Sequence, residues 1–259
     1  MMKLTSSNYH SPEANREYWS VSLFKAFDRC EACGLASVEG LYERPETDAL
    51  LIGSYVDAYF SGELDEFEKI HGDEMYSKRG GGLLKKFANA NDIIDRIKGE
   101  PLLMNYLTGN KQEIYTAELF GVPWKIKTDV TNGERIVDLK CVKDFKPIYE
   151  DGFGYRHWIE FWGYDLQGAV YQKVEQIASG RSEPLPFYIA AVTKEAVPDV
   201  ALIQIPQHVL DTALKVVESK IDRFDLVKEG ELKPNRCERC DYCKETKLLI
   251  EPEIYEPEI

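Results

Sequence analysis

Apolar and polar positions alternate most clearly over 121–140. Trp124, Ile126 and Thr128 interleave with Lys125, Lys127 and Asp129, the period of a half-buried strand. Asn132-Gly133 then predicts a tight reversal, because both residue types tolerate positive φ. The return strand, 135–140, is mostly apolar until it brings Asp138 and Lys140 to one face. Upstream, the apolar content of 112–120 predicts a strand that turns at Phe120-Gly121 into this pair, so the sheet opens as a three-stranded antiparallel meander.

The flanking patterns are helical. Ser20 or Ser22 caps a helix through Leu23, Phe24 and Phe27 that carries Cys30 and Cys33. A second helix is predicted over 48–60 with Asp48 as its N-cap. It places Gly53 and Asp57 four residues apart on one face, beside Val56 and Phe60. The loop 77–82 is basic and rich in glycine, and helices follow near 83–98 and 101–108. After the hairpin, 144–158 reads as a glycine- and aromatic-rich loop long enough to line a substrate or act as a lid. A helix over 159–179 follows, with Tyr164, Gln167, Gly168 and Tyr171 at i, i+3, i+4 and i+7. That face is polar where a packing face would carry Leu and Val, so Gln167 is expected to hydrogen-bond into a polar site. Apolar strands at 187–192 and 201–205 and an amphipathic helix over 206–228 complete an α/β (α+β) chain without internal repeats.

Composition narrows the class. A chain of 259 residues with 44% hydrophobic and 12% aromatic content buries a sizeable core. No apolar run is long enough for a transmembrane helix, and the polar start has no signal-peptide core, so the chain is expected to be cytoplasmic, with no membrane partner. The net charge of −13 argues against a broadly basic nucleic-acid-binding surface. It leaves room for a local basic channel, and Lys78, Arg79, Lys85, Lys86, Arg96 and Lys98 form the one basic segment. Acidity gathers elsewhere, including the tail from Glu251 onward.

Two groups carry candidate chemistry. Asp129 and Asp138 stand at neighbouring ends of paired strands, and two carboxylates there suit a hard divalent cation. Lys140 shares a face with Asp138, where its ammonium can orient a water or steady charge developing on a phosphate. A surface hairpin with exposed charges is the plainer alternative, and Asp57 reads equally as a solvated or salt-bridged residue. Glu118, near the end of the first strand, is either a further member of the acidic group or an exposed edge residue. The second group is Cys237-x2-Cys240-x2-Cys243, with Cys30 or Cys33 as the source of a fourth thiol. Zinc and an iron–sulfur cluster both fit that spacing. Cys141 points to the strand face opposite Lys140 and reads as a buried thiol.

Taken in order, Gly53 and Asp57 on a helix, Asp129, Asp138-Leu139-Lys140, and then Gln167 and Tyr171 on a helix resemble the PD-(D/E)xK nuclease superfamily. The closer similarity is to the phage and prophage RecE-like (exodeoxyribonuclease VIII-like) branch, related to RecB-like nucleases. The resemblance spans roughly 48–205, and Asp57 departs from it by standing where a His is usual. It implies a restriction-endonuclease-like core with a central mixed sheet flanked by helices. It also implies one nuclease domain over 1–259, whose helical segment 1–47 and Cys-rich segment 229–259 pack together. The implied activity is an exodeoxyribonuclease working on linear DNA ends, often beside a single-strand annealing protein and as a homo-oligomer. Asp57, Asp129, Asp138 and the Leu139 carbonyl would hold Mg²⁺ or Mn²⁺, Lys140 would position water, and Gln167 and Tyr171 would contact DNA or orient Lys140. Cys30, Cys237, Cys240 and Cys243 match the layout that holds a [4Fe–4S] cluster in such relatives, with structural Zn²⁺ as the alternative. A catalytically silent DNA-end or partner-binding module of the same fold is the second reading.

Overall fold

Antiparallel pairing begins with β1 (Asn110–Leu119), β2 (Val122–Thr131) and β3 (Ile136–Val142), in the predicted meander. β3 then runs parallel to β6 (Phe187–Thr193), which pairs antiparallel with β7 (Val200–Gln204). The computed structural model describes residues 2–43, 45–78 and 81–252. Among these the main sheet is mixed, with five strands in the order β1-β2-β3-β6-β7. The segment expected as an open loop instead folds back as a small separate hairpin, β4 (Ile148–Glu150) and β5 (Gly154–Arg156). Arg79 and the tail from residue 253 onward, both singled out for their charge, lie outside the described residues.

Helices occupy both faces of the sheet. Before β1 come α1 (Pro12–Glu17), α2 (Val21–Arg29), α3 (Glu31–Glu39), α4 (Asp48–Ser61), α5 (Leu64–Met75), a 3₁₀ turn at Lys85–Phe87, α6 (Asn89–Lys98) and α7 (Pro101–Tyr106). α8 (Trp158–Phe161) and α9 (Tyr164–Ala178) lie between β5 and β6; α10 (Gln207–Lys228) and α11 (Asp241–Glu245) close the chain. Ile52 and Val56 of α4 and Ile93 and Ile97 of α6 bury Val137, Leu139 and Val192 on one face. Val170 and Val174 of α9 and Ile221 of α10 cover Trp124 and Ile126 on the other. α9 approaches the sheet so closely at Gly168 that a Cβ there would stand 2.5 Å from the Phe187 ring. Among the described residues no helix is long and apolar enough to cross a membrane.

Several boundaries differ from the periodicity, for local reasons. Ser20 caps α2 through the Leu23 N–H, but the helix ends at Cys30, whose extended backbone separates α2 from α3. Thr47, one residue before Asp48, caps α4 by accepting the Leu50 N–H. Gly163 with φ +62° divides the segment expected as one helix into α8 and α9. Only Gly133 takes positive φ in the β2–β3 turn, while the Asn132 side chain accepts the Glu134 and Arg135 N–H groups at 3.1 and 3.2 Å. Arg135 therefore belongs to the turn and not to β3. α5 escaped prediction because its only buried residue is Met75.

The two ends of the chain meet through a buried acid. Glu31, at the start of α3, takes Arg223 of α10 through both guanidinium Nε (2.7 Å) and Nη2 (2.9 Å) and accepts the Asn235 backbone N–H at 2.7 Å. The Ala32 N–H in turn donates to the Asn235 carbonyl at 3.0 Å. Burial raises the Glu31 pKa, but Arg223 and the Asn235 N–H outweigh it and hold the carboxyl below its ordinary range. A depressed folded-state pKa means that this stabilisation is full above the unfolded carboxylate value and is lost as pH falls through the folded one. Glu31→Gln is expected to lower unfolding free energy by about 2 kcal/mol at neutral pH, the scale of a charged hydrogen-bond network. In urea titrations the difference from wild type should shrink as pH drops below about 4.

Candidate active site

The site lies where β2 and β3 part company. Their ladder runs only through Val130↔Val137 and Thr131↔Ile136. One step further would set Asp129 opposite Asp138, two carboxylates across a closed pair, and the pairing stops there. Asp129 instead turns its side chain across the gap, and its Oδ2 accepts the Leu139 N–H at 2.8 Å. The far end of the same β2 edge is taken by the N-terminal segment. Trp19 donates its N–H to the Pro123 carbonyl and accepts the Lys125 N–H, both at 2.8 Å. The opening between these two closures is where the charged side chains gather.

On β3, Asp138 is 2% exposed and divides its oxygens between two partners. Oδ2 pairs with Lys140 Nζ at 2.6 Å, as their shared strand face requires, and Oδ1 accepts Gln167 Nε2 at 2.7 Å from α9. The expected hydrogen bond of Gln167 into a polar site is thus present, and it anchors Asp138 directly. Lys140 Nζ also lies 5.4 Å from the centre of the Tyr164 ring. Tyr171, one turn beyond Gln167, packs edge-on against Phe187, and burial foremost, with the Asp138 and Asp129 charges, raises its pKa. From the other face α4 contributes Asp57, which lines a narrow cleft together with Lys111, Gln112, Asp129 and Leu139.

Electrostatics in this gap are severe. Burial foremost, and then the Asp57 and Asp138 charges, push the Asp129 pKa well above the ordinary carboxylate range. Burial likewise raises Asp57, with Asp138 adding to it and Lys140 opposing. Burial works against the Lys140 ammonium, but Asp138 and Asp129 outweigh it and hold the charge in place. Buried oxygens that repel one another are a donor set suited to a hard divalent cation, which would remove the cost of keeping them ionised. Asp57, Asp129 and Leu139 line the cleft, whereas Asp138 faces Lys140 and Gln167. The acidic groups that line the cleft, Asp57 and Asp129, suit such an ion as oxygen donors.

Comparison with known proteins bears on this arrangement. Residues 20–246 match a family described as a PDDEXK-like domain of unknown function (DUF3799). The chain belongs to that PDDEXK-like family. A crystal structure of a protein described as "Putative exonuclease" from Eubacterium rectale superposes with a TM-score of 0.92 at 42% identity, covering 98% of this chain and 97% of that one. A second solved structure, SSO0001, aligns with a TM-score of 0.29 at 12% identity over 85% of this chain and 90% of that one. No curated protein matches.

Other parts of the PDDEXK-like chain were not legible as site residues. Lys25 of α2 donates from Nζ to the Trp162 carbonyl at 3.1 Å and lies 5.7 Å from the Tyr164 ring that Lys140 also approaches. Burial first, then Lys140 and Arg29, lower its pKa to about 8. Nothing in its amphipathic helix marks it in the sequence; only the packing of α2 beside β2 brings it there. By contrast Glu118 is exposed at the far end of β1, away from the acidic group. Within the basic segment Lys86 pairs with Asp48, Lys98 with Asp95 and Arg96 with Glu100, at 2.6, 3.7 and 3.5 Å, the pattern of a solvated helix surface.

The cysteines converge. Ligand sulfurs of Cys30, Cys237, Cys240 and Cys243 all lie within 4.8 Å of one another, and the group could hold a metal. Cys30, the break between α2 and α3, contributes the fourth thiol, while Cys33 stays outside the group. Burial opposes a thiolate at Cys237, but the Arg239 and Cys240 N–H groups point at its sulfur from 3.5 and 3.3 Å and bring its pKa down to about 6. Cys141 lies on the opposite face of β3 near Gly53, its thiol pushed up to about 12 by burial.

Because Gln167 alone among the described residues donates a side-chain amide to buried Asp138, Gln167→Leu is expected to cost about 1–3 kcal/mol, the penalty for leaving a buried charged acceptor short of a donor. Denaturant unfolding at neutral pH measures it. A variant as stable as wild type would show that Lys140 satisfies Asp138 by itself.

Proposed function

We propose that the chain is a divalent-metal-dependent DNA exonuclease that hydrolyses phosphodiester bonds at linear DNA ends in phage-type recombination or repair. The observation that carries this reading is the parting of β2 and β3, which sets Asp129 on the Leu139 N–H beside the Asp138–Lys140 pair. The description of the Eubacterium rectale neighbour as an exonuclease supports it. Asp129, Asp57 and Asp138, with the Leu139 carbonyl, would hold Mg²⁺ or Mn²⁺. When bound, such an ion acidifies water and withdraws charge from a phosphate.

The chain's own residues do the positioning. Gln167 holds Asp138 in one rotamer, and Asp138 holds Lys140 Nζ at the mouth of the gap. There the ammonium can hydrogen-bond an attacking water or a non-bridging phosphate oxygen, where negative charge grows in the transition state. Lys111 and Lys127 supply further positive charge around Asp57 and Asp129, as local attraction for a phosphate backbone on a chain of net charge −13. On this reading the whole chain works as one cytoplasmic nuclease domain, with a single-strand annealing protein as its partner in recombination and a homo-oligomer as its assembly.

The same proposal assigns a structural metal to the four cysteines. Sulfurs within 4.8 Å of each other suit one tetrahedral ion such as Zn²⁺, whose Zn–S bonds of about 2.3 Å set ligands about 3.8 Å apart. A [4Fe–4S] cluster binds each thiolate to a different iron and spreads them further.

Two experiments test the assignments. On linear duplex DNA with Mg²⁺, Asp138→Ala and Lys140→Ala should each lose on the order of a hundredfold or more in rate. Digestion by both variants at the wild-type rate would sink the nuclease reading, and a wild type that binds ends without digesting them would establish the silent module instead. For the thiols, Cys240→Ser should lose bound metal and melt several degrees lower, read by elemental analysis and calorimetry. Zinc in a colourless wild-type sample supports the single ion, and iron in a brown one overturns it in favour of the cluster.

A further inference from the structure

Gln112, on β1, lines the cleft with no role in the metal-dependent reaction described so far. Its side chain is nine-tenths buried, and neither its Oε1 nor its Nε2 has a hydrogen-bond partner among the described residues. Its backbone has φ +53°, in the left-handed region that side-chain-bearing residues avoid. The pairing of β1 with β2 is regular on both sides, Lys111↔Val130 and Glu113↔Thr128, and lapses only at the Gln112–Asp129 level. The face alternation of β2 breaks there too. Ile126 packs under α9 and α10, while Val130, an even number of residues further on, packs under α4 and α6. Two unfavourable features, an unpaired buried amide and a strained backbone, thus coincide at the level of Asp129, an acid of the site.

The cleft that Gln112 lines has Asp57 and Asp129 as its acidic walls, and Lys111, which also lines it, donates from Nζ to the Leu107 carbonyl. A neutral amide oxygen raises the number of donors without adding charge, which suits a hard cation that takes six or more oxygens. We propose that Gln112 is a ligand of the divalent cation, its Oε1 joining the Asp57 and Asp129 carboxylates, directly or through one water. Gln112 lines the cleft from a strained backbone position, and its distance in sequence from the Asp-x-Lys strand accounts for its absence from the motif. This inference rests on the metal-dependent reading of the same site.

The test is calorimetric titration of the full chain with Mn²⁺ alone, which needs no DNA and no turnover. Gln112→Leu keeps the approximate shape and removes the oxygen; its Mn²⁺ affinity should fall by tenfold or more. Gln112→Glu keeps Oε1 and should bind at least as tightly as wild type, which carries the test if the leucine variant does not fold. Gln112→Leu binding Mn²⁺ within twofold of wild type, or Gln112→Glu binding more weakly, overturns the assignment while leaving the metal site itself standing. A wild type that takes up no Mn²⁺ overturns this inference together with the reading on which it rests. Asp129→Asn, expected to abolish the uptake, locates the binding in this cleft and not among the cysteines.

Discussion

The bond from the Leu139 N–H to the Asp129 carboxylate is the contact on which the rest of the site depends. A closed β2–β3 ladder would have satisfied both backbones and left no room for chemistry. Opening it after Val130↔Val137 frees the Leu139 N–H, and a buried donor must be paired. Asp129 pairs it with a charged side chain, so the acid is oriented by the same bond that keeps the opened strand satisfied. The opposite end of the gap is closed by Trp19, which makes the N-terminal segment a wall of the site as well as a lead-in to α2.

Once the gap is open, its charges depend on one another. Asp138 is held by Gln167 and Lys140, Lys140 is kept ionised by Asp138 and Asp129, and Asp129 is raised by burial and by Asp57. No one of these groups has an ordinary environment without the others. Such mutual dependence is typical of functional groups poised in a low-dielectric cleft.

The chain termini meet by a different physics. Glu31 binds Arg223 and the Asn235 N–H while the four thiols gather beside it, so two independent contacts tie α3 to the segment after α10. Together they hold segments some two hundred residues apart in sequence against each other in the folded chain, beside α2 with its Lys25.

Much of this was readable in the chain. Alternation over 121–140, the Asn132-Gly133 turn, the Asp-x-Lys at 138–140, Gln167 four residues before Tyr171 and the spaced cysteines together pointed to the meander, the acidic group and the thiol group, because each is set by a local period or spacing. Local signals failed where a position depends on something distant. Cys30 and Gly163 interrupt helices that periodicity continues, Arg135 is drawn into the turn by the Asn132 side chain, and polar α5 buries little but Met75. The sequence by itself determined which residues are charged, apolar or thiol and the strand and helix faces they share, since those follow from backbone geometry. Only the tertiary structure decided that β2 and β3 separate, that Lys25 and Gln112 arrive at the gap, and that Cys30 and not Cys33 completes the thiol group. Each of those outcomes is set by strand pairing or packing between segments far apart in the chain, and no short-range pattern encodes it.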